Sequence, residues 1–263
     1  MICPHPNFRR SDVSRLLPLT LPELFSSRRR GCAFVALAFA AFVAGCGPAG
    51  GDKSFFPLDE GRSWTFQVTK NVDEATEPDV DTLTFTMKGS QKLESGPAQR
   101  RLSSNGVDYF LRSDEQGIYR VGSRNSLDEN PKPDNPPRFV LKKPYVVGTQ
   151  WQANTMPYVL QRRNEFPKEV RYTTKPIMMV YAIAALEQKV ETPAGKFEGC
   201  IKVVGEAKIR LYVDAAFNWR EIPLFSTEWY CPGVGLVRVE RLETSPSKFM
   251  RGGTQTLDLV SYK

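Results

Sequence analysis

Histidine is nearly missing from this 263-residue chain: His5 is the only one. It lies in an N-terminal segment expected to be removed, and what remains has no imidazole. That absence excludes Ser-His-Asp and Cys-His nucleophilic constellations, zinc sites built on imidazole, and histidine general acid or base catalysis. A long hydrophobic run is lacking too. The apolar stretch at residues 31–45 falls short of the ~20 residues that a membrane-spanning helix needs. Strong charge of one sign is absent as well, because more than half of the formal net charge of +7 comes from arginines of the N-terminal segment. The basic pairs Arg100-Arg101, Lys142-Lys143 and Arg162-Arg163 are far apart and carry no docking motif, so they read as solvated surface and nucleic acid is excluded as a partner.

What is present begins with an address. Arg28, Arg29 and Arg30 form a positive n-region, an apolar run follows, and the small pair Ala44-Gly45 stands directly before Cys46. Phe34, Leu37, Phe39, Phe42 and Val43 scatter around every face of a helical wheel, which argues against a cytosolic core helix. The competing reading is a single membrane anchor that is never cut. Val43-Ala44-Gly45-Cys46 resembles a bacterial lipobox, and that resemblance implies cleavage before Cys46 and acylation of its thiol by a palmitate-type chain. For residues 1–27 two readings stay open. They are a long n-region, or they are not translated, with synthesis starting at a non-methionine codon such as that of Val13 or Leu24. Residues 46–54 form a Gly-rich tether that reaches about 25 to 30 Å when extended. By analogy with enterobacterial lipoproteins, Gly47 after the acylated cysteine implies the outer membrane, with the domain facing the periplasm and the lipid anchor as its membrane contact.

Residues 55–263 read as one β-rich domain. Trp64, Phe66 and Val68 alternate with Thr65, Gln67 and Thr69, and Leu83, Phe85 and Met87 share one face of a second strand that pairs with the first. The acids between them, Asp73, Glu74, Glu77, Asp79 and Asp81, lack the spacing of a calcium loop and read as a solvated hairpin loop, so no metal site is assigned. Short strands follow at residues 107–112 and 117–121. Pro131, Pro133, Pro136 and Pro137 make residues 125–137 an exposed loop between two halves. The second half opens with Pro144, Gly148 and Trp151, which repeat the spacing of Pro57, Gly61 and Trp64 and suggest a duplicated strand-opening device.

The clearest alternation places Ile201, Val203, Gly205, Ala207, Ile209, Leu211 and Val213 on one face and Lys202, Glu206, Lys208 and Arg210 on the other. Residues 177–190 form the preceding strand, and residues 225–230, 234–242 and 257–262 follow. Of the five cysteines, Cys200 and Cys231 remain once Cys3, Cys32 and Cys46 are set aside, and an even pair in an exported chain is a disulfide candidate. Bridging them closes a loop worth about 3 to 4 kcal/mol on the chain-entropy model. Cys200 falls on the polar face beside Lys202, so a bridge needs a bulge near Gly199 or a bend at Pro232.

The segments at residues 57–64, 192–197 and 229–237 resemble a group of uncharacterised bacterial lipoproteins and secreted β-rich proteins. That group has a Pro-Leu-x2-Gly-x2-Trp opening, a Thr-Pro-Ala-Gly-x-Phe hairpin and a Trp-Tyr-x-Pro-Gly-Val-Gly-Leu-Val segment. The resemblance implies a mostly β fold, a curved antiparallel sheet or incomplete barrel with few or no long helices apart from the signal segment, and it carries no activity. Three functions remain, in this order: a non-catalytic envelope lipoprotein serving as an interaction or structural module with another envelope protein; a carrier or sensor holding a lipophilic ligand in the curve of the sheet; and a carboxylate-based hydrolase using two of Asp214, Glu221, Glu228 and Glu240. No cofactor and no catalytic residue is assigned.

Overall fold

The computed structural model describes residues 54–263 apart from 216, 217, 246 and the side chain of Asp214. Cys46, the signal segment and all of the tether but Ser54 lie outside the described residues. In chain order the strands are β1 (Ser63–Val72), β2 (Asp79–Leu93), β3 (Gly96–Ser103), β4 (Asp108–Asp114), β5 (Gly117–Arg124), β6 (Lys132–Lys142), β7 (Gln150–Thr155) and β8 (Gln161–Arg162). After a 3-10 turn at Val170–Tyr172 come β9 (Ile177–Thr192), β10 (Gly195–Asp214), β11 (Asn218–Cys231), β12 (Gly235–Glu243), β13 (Met250–Arg251) and β14 (Gly253–Tyr262).

Twelve of these strands form one antiparallel sheet in the order β6-β5-β4-β3-β2-β1-β14-β12-β11-β10-β9-β7. The order is two meanders joined edge to edge. Each meander opens with the Pro-x3-Gly-x2-Trp device, and the reason is the same in both: Gly61 and Gly148 adopt φ of 83° and 93°, conformations that favour glycine, and Trp64 and Trp151 are buried where β1 and β7 begin. The first strand of the chain meets the last, paired from Trp64 opposite Tyr262 to Val72 opposite Gly253 with one register shift between Thr65 and Phe66. At the other junction β6 and β7 form no ladder, and the Nε of Arg138 donates to the carbonyl of Asn154 across the gap at 3.1 Å. The sheet is thus a nearly closed barrel with one unsealed seam.

The proline-rich stretch expected as a loop at residues 125–137 is shorter than that, because β6 already starts at Lys132 and includes Pro133, Pro136 and Pro137. Proline removes a ladder donor and is tolerated where one edge of a strand is unpaired. β6 is such a strand, at the end of the sheet.

The core is densest in the second meander. Ile201, Val203, Ala207, Ile209, Leu211 and Val213 of β10 pack with Met179 and Ile183 of β9 and with Ile222 and Leu224 of β11. Fully burying each large apolar side chain stabilises the fold by about 1.5 to 3 kcal/mol. Gly205 is required at its place, since a Cβ there would come within 2.8 Å of the Met179 sulfur and the Tyr181 ring. Cys200 and Cys231 are bonded, with Cα atoms 4.1 Å apart. Cys200 does not point outward with Lys202: register shifts on both sides of it, with Gly199 at φ 68°, turn it into the interior, and a further shift at Trp229/Tyr230 accompanies the burial of Cys231.

One end of the barrel is held by a buried latch. Glu243 accepts the backbone N–H groups of Tyr158, Val159 and Leu160 at 2.8 to 3.0 Å. Arg241 lies beside it, donating to the Thr155 hydroxyl at 3.0 Å, the Met156 carbonyl at 2.9 Å and Glu243 at 3.4 Å. The segment so pinned delivers Leu160 and Val170 to the core, together with Met250 of β13, and buries Val159.

Candidate functional site

The inner wall of the first meander is polar where the second is apolar, and the strand period of two residues is the reason. In β3, Arg101 stands opposite Met87 of β2 and Tyr109 of β4, so it points inward with them. Its neighbour Arg100 points outward and donates to Asp108 at 2.8 Å, which Arg124 also reaches at 2.7 Å. β5 and β6 place Arg120 opposite Arg138, and both line the same space as Arg101.

That space is a cavity of about 390 Å³. Phe56, Phe85, Tyr109, Tyr158 and Tyr230 supply rings, while Leu111, Val140, Leu236 and Val239 supply aliphatic surface. Ligand sites are commonly built this way, largely apolar with a few convergent polar groups, and at 300 to 1,000 Å³.

Arg101 is the most unusual group in it. Its guanidinium carbon lies 3.9 Å from the Phe85 ring centroid, 5.1 Å from Phe56 and 5.4 Å from Trp64. Among the described residues it has no carboxylate partner and no hydrogen bond, and its Nε is buried without an acceptor. Burial pushes its pKa down to about 10, against a smaller opposing effect of Tyr230 and Tyr109, so it remains charged at neutral pH. A desolvated cation–π contact contributes about 2 kcal/mol, whereas burying an ion costs several kcal/mol. The rings offset part of that cost and leave the N–H donors unused.

The other charged groups are better matched. Arg120 makes a two-point pair with Asp134 at 2.6 and 2.8 Å. Arg138 is held above the ordinary arginine range: burial lowers it, and nearby Tyr181 and Glu228 more than compensate. Glu228 accepts from the Tyr230 hydroxyl at 2.5 Å and the Ser226 hydroxyl at 3.2 Å. Burial and the Glu228 charge raise Tyr230 well above the usual phenol range, and the same causes push Tyr181 up to about 12. Both phenols therefore stay protonated, and Tyr230 donates to Glu228.

The sequence-based candidates are scattered by this architecture. Glu221 is exposed on the outer face, 3.4 Å from Lys208, and Glu240 is exposed. The Asp214 side chain lies outside the described residues, as does Cys46. Glu228 alone of the described three is turned inward: it shares its phase on β11 with Ile222, Leu224 and Tyr230 and faces the cavity. Arg101 corrects the reading of Arg100-Arg101 as solvated. The missed signal was the strand itself, since β3 was not foreseen and only a strand splits an arginine pair between two faces. Among the described residues no cluster of three His, Cys, Asp or Glu side chains is placed to hold a metal ion.

Fold and site together describe a β-barrel with a ligand-sized, arginine-lined interior. No protein-family model and no curated protein matches the chain. Two solved structures are similar to it at low level. One is a candidate lipoprotein from Parabacteroides distasonis ATCC 8503, with 16% identity over 81% of this chain and 99% of the other and a TM-score of 0.37. The second is a candidate exported protein with a YmcC-like fold from Bacteroides fragilis NCTC 9343, with 16% identity over 80% and 98% and a TM-score of 0.35. Likeness this distant carries no functional argument.

Proposed function

We propose that the protein is a non-catalytic carrier or sensor of the bacterial cell envelope that holds a lipophilic ligand inside its barrel. In this reading acylated Cys46 and the Gly-rich tether fix it to the outer membrane, facing the periplasm. The observation that carries the proposal is the cavity of about 390 Å³ between the two meanders. A pure interaction module, placed first from the sequence, calls for a filled barrel with only shallow grooves, so the cavity favours the carrier. A hydrolase draws less support, because Glu228 alone of the described candidate acids faces the cavity and both its oxygens accept hydroxyl hydrogen bonds.

Native mass spectrometry of the full chain after gentle extraction tests the proposal. A retained small lipophilic species, released on unfolding, is the expected result. A protein that carries nothing and takes up no added lipophile overturns it. The address is tested separately: Cys46→Ala is expected to abolish acylation and to block processing at Gly45, and maturation to the same size would overturn the lipobox assignment.

A further inference from the structure

We infer that the ligand is an acidic amphiphile whose anionic head is received by Arg101, with Arg138 as the second cation. The inference rests on the carrier reading and adds the chemistry of the ligand. Three observations around the cavity lead to it. Arg101 is enclosed by three aromatic rings that balance its charge but accept none of its N–H donors. Arg138 uses its Nε on the Asn154 carbonyl, and no hydrogen bond among the described residues engages its two terminal nitrogens. Glu228, the acid of the cavity lining, makes no ion pair among the described residues and is engaged by the Ser226 and Tyr230 hydroxyls instead.

Arg120 is already neutralised by Asp134, so Arg101, Arg138 and Glu228 leave the wall one positive charge in excess. That excess selects an anion, and a planar guanidinium offers paired donors suited to a carboxylate or phosphate oxygen. The rings and aliphatic side chains around it receive an apolar body. The volume suits a single chain rather than a diacyl lipid. The head is therefore a carboxylate or a phosphate monoester, two sources of one chemistry.

The test uses the full chain in amphipol, titrated calorimetrically with dodecanoate, dodecyl phosphate and uncharged dodecanol. At least one acidic probe is expected to bind about tenfold or more tighter than dodecanol, and the tighter of the two identifies the head group. Arg101→Gln is expected to remove that preference while dodecanol still binds, which also reports that the cavity is intact. Glu228→Gln guards against misfolding of the first variant: by removing the opposing charge it is expected to tighten the acidic probes several-fold relative to dodecanol, and a change shared equally by all three probes counts against a charge effect and overturns the proposal. Equal binding of all three probes overturns the acidic head and leaves the carrier reading standing. Binding of none overturns both. An Arg101→Gln protein that keeps the full preference for acids assigns Arg101 a packing role and overturns the proposal.

Discussion

The two meanders share a topology and an opening motif, but their inner walls do opposite things. β9, β10 and β11 line the second with Met179, Ile183, Ile201, Val203, Ile222 and Leu224, and its buried charges, Arg241 and Glu243, are engaged within the protein. The first meander brings Arg101, Arg120 and Arg138 to its inner wall, and Arg101 is left without an acceptor. The contrast separates two jobs usually mixed in a small barrel. One half supplies the core that makes the fold stable, and the other spends part of that stability on a polar surface that only a ligand completes.

If this division holds, the largest losses come from the second meander. Glu243→Gln replaces a fully buried acceptor of three backbone N–H groups with an amide that presents its own N–H, and leaves Arg241 without its carboxylate. Removing one partner from a buried pair costs about 3 to 5 kcal/mol, so the urea midpoint of unfolding is expected to fall steeply. A loss below about 1 kcal/mol would show that the segment carrying Val159 and Leu160 is held by packing alone. Next in size, Cys200→Ser with Cys231→Ser is expected to cost about 2 to 4 kcal/mol, read as a lowered Tm that reductant reproduces in the parent protein. Tyr230, beside Cys231, would then couple the bridge to the cavity, and probe binding in the reduced protein shows whether it does.

How much of this was legible in the sequence follows the same division. The alternation of β10 is visible because one face is apolar and the other charged, whereas β9 beside it is apolar on both faces at its start, with Met178 and Val180 exposed, and is read as a strand without that contrast. The Thr192–Gly195 hairpin and the two tryptophan openings carry their own turn chemistry. β3 has no such contrast: Gln99, Arg101 and Ser103 face inward, and Arg100 and Leu102 lie on the other face, so polarity does not mark the inside. The cavity wall was hidden for the reason that makes it a candidate site, since a polar surface placed inside breaks the pattern by which strands are recognised. The cysteines were legible as residues but not as positions, because local register shifts turn both sulfurs inward.

A smaller effect probes the outer face of the first meander. Asp108 lies between Arg100 and Arg124, and although burial raises its pKa, the hydrogen bonds from the two arginines outweigh burial and hold it below the ordinary aspartate value. A carboxylate whose folded pKa is depressed contributes stability that is present above the unfolded pKa and is lost as pH falls through the folded one. Asp108→Asn is therefore expected to cost about 2 kcal/mol at pH 7, discounted because both arginines are partly exposed. The gap between variant and parent is expected to narrow below about pH 4. A gap that persists undiminished in strong acid would mean that Asp108 acts through shape and not through charge.

The smallest effect concerns the two places where the meanders meet. At β1 and β14 a ladder of nine residue pairs with one bulge joins them, whereas at β6 and β7 the sequence puts Pro133, Pro136 and Pro137 on one side and, among the described residues, the side-chain bond of Arg138 to Asn154 spans the gap. A ladder distributes its hydrogen bonds along the strand, so losing one leaves the others in place. The seam has no such reserve, and local opening there needs only a small free energy. Arg138→Met keeps the apolar stem and removes the donor, and global stability is expected to change by about 1 kcal/mol or less. Hydrogen exchange along β7 is expected to quicken while β1 and β14 keep their protection. Unchanged exchange in β7 would mean that packing of Trp151 on Tyr181, stacked at 5.7 Å, holds that strand without help from across the seam. Quickened exchange would make Arg138 a link between seam and site: the residue that bridges the open junction also lines the cavity, so an anion drawing on its free nitrogens would act on the one edge through which the barrel can widen.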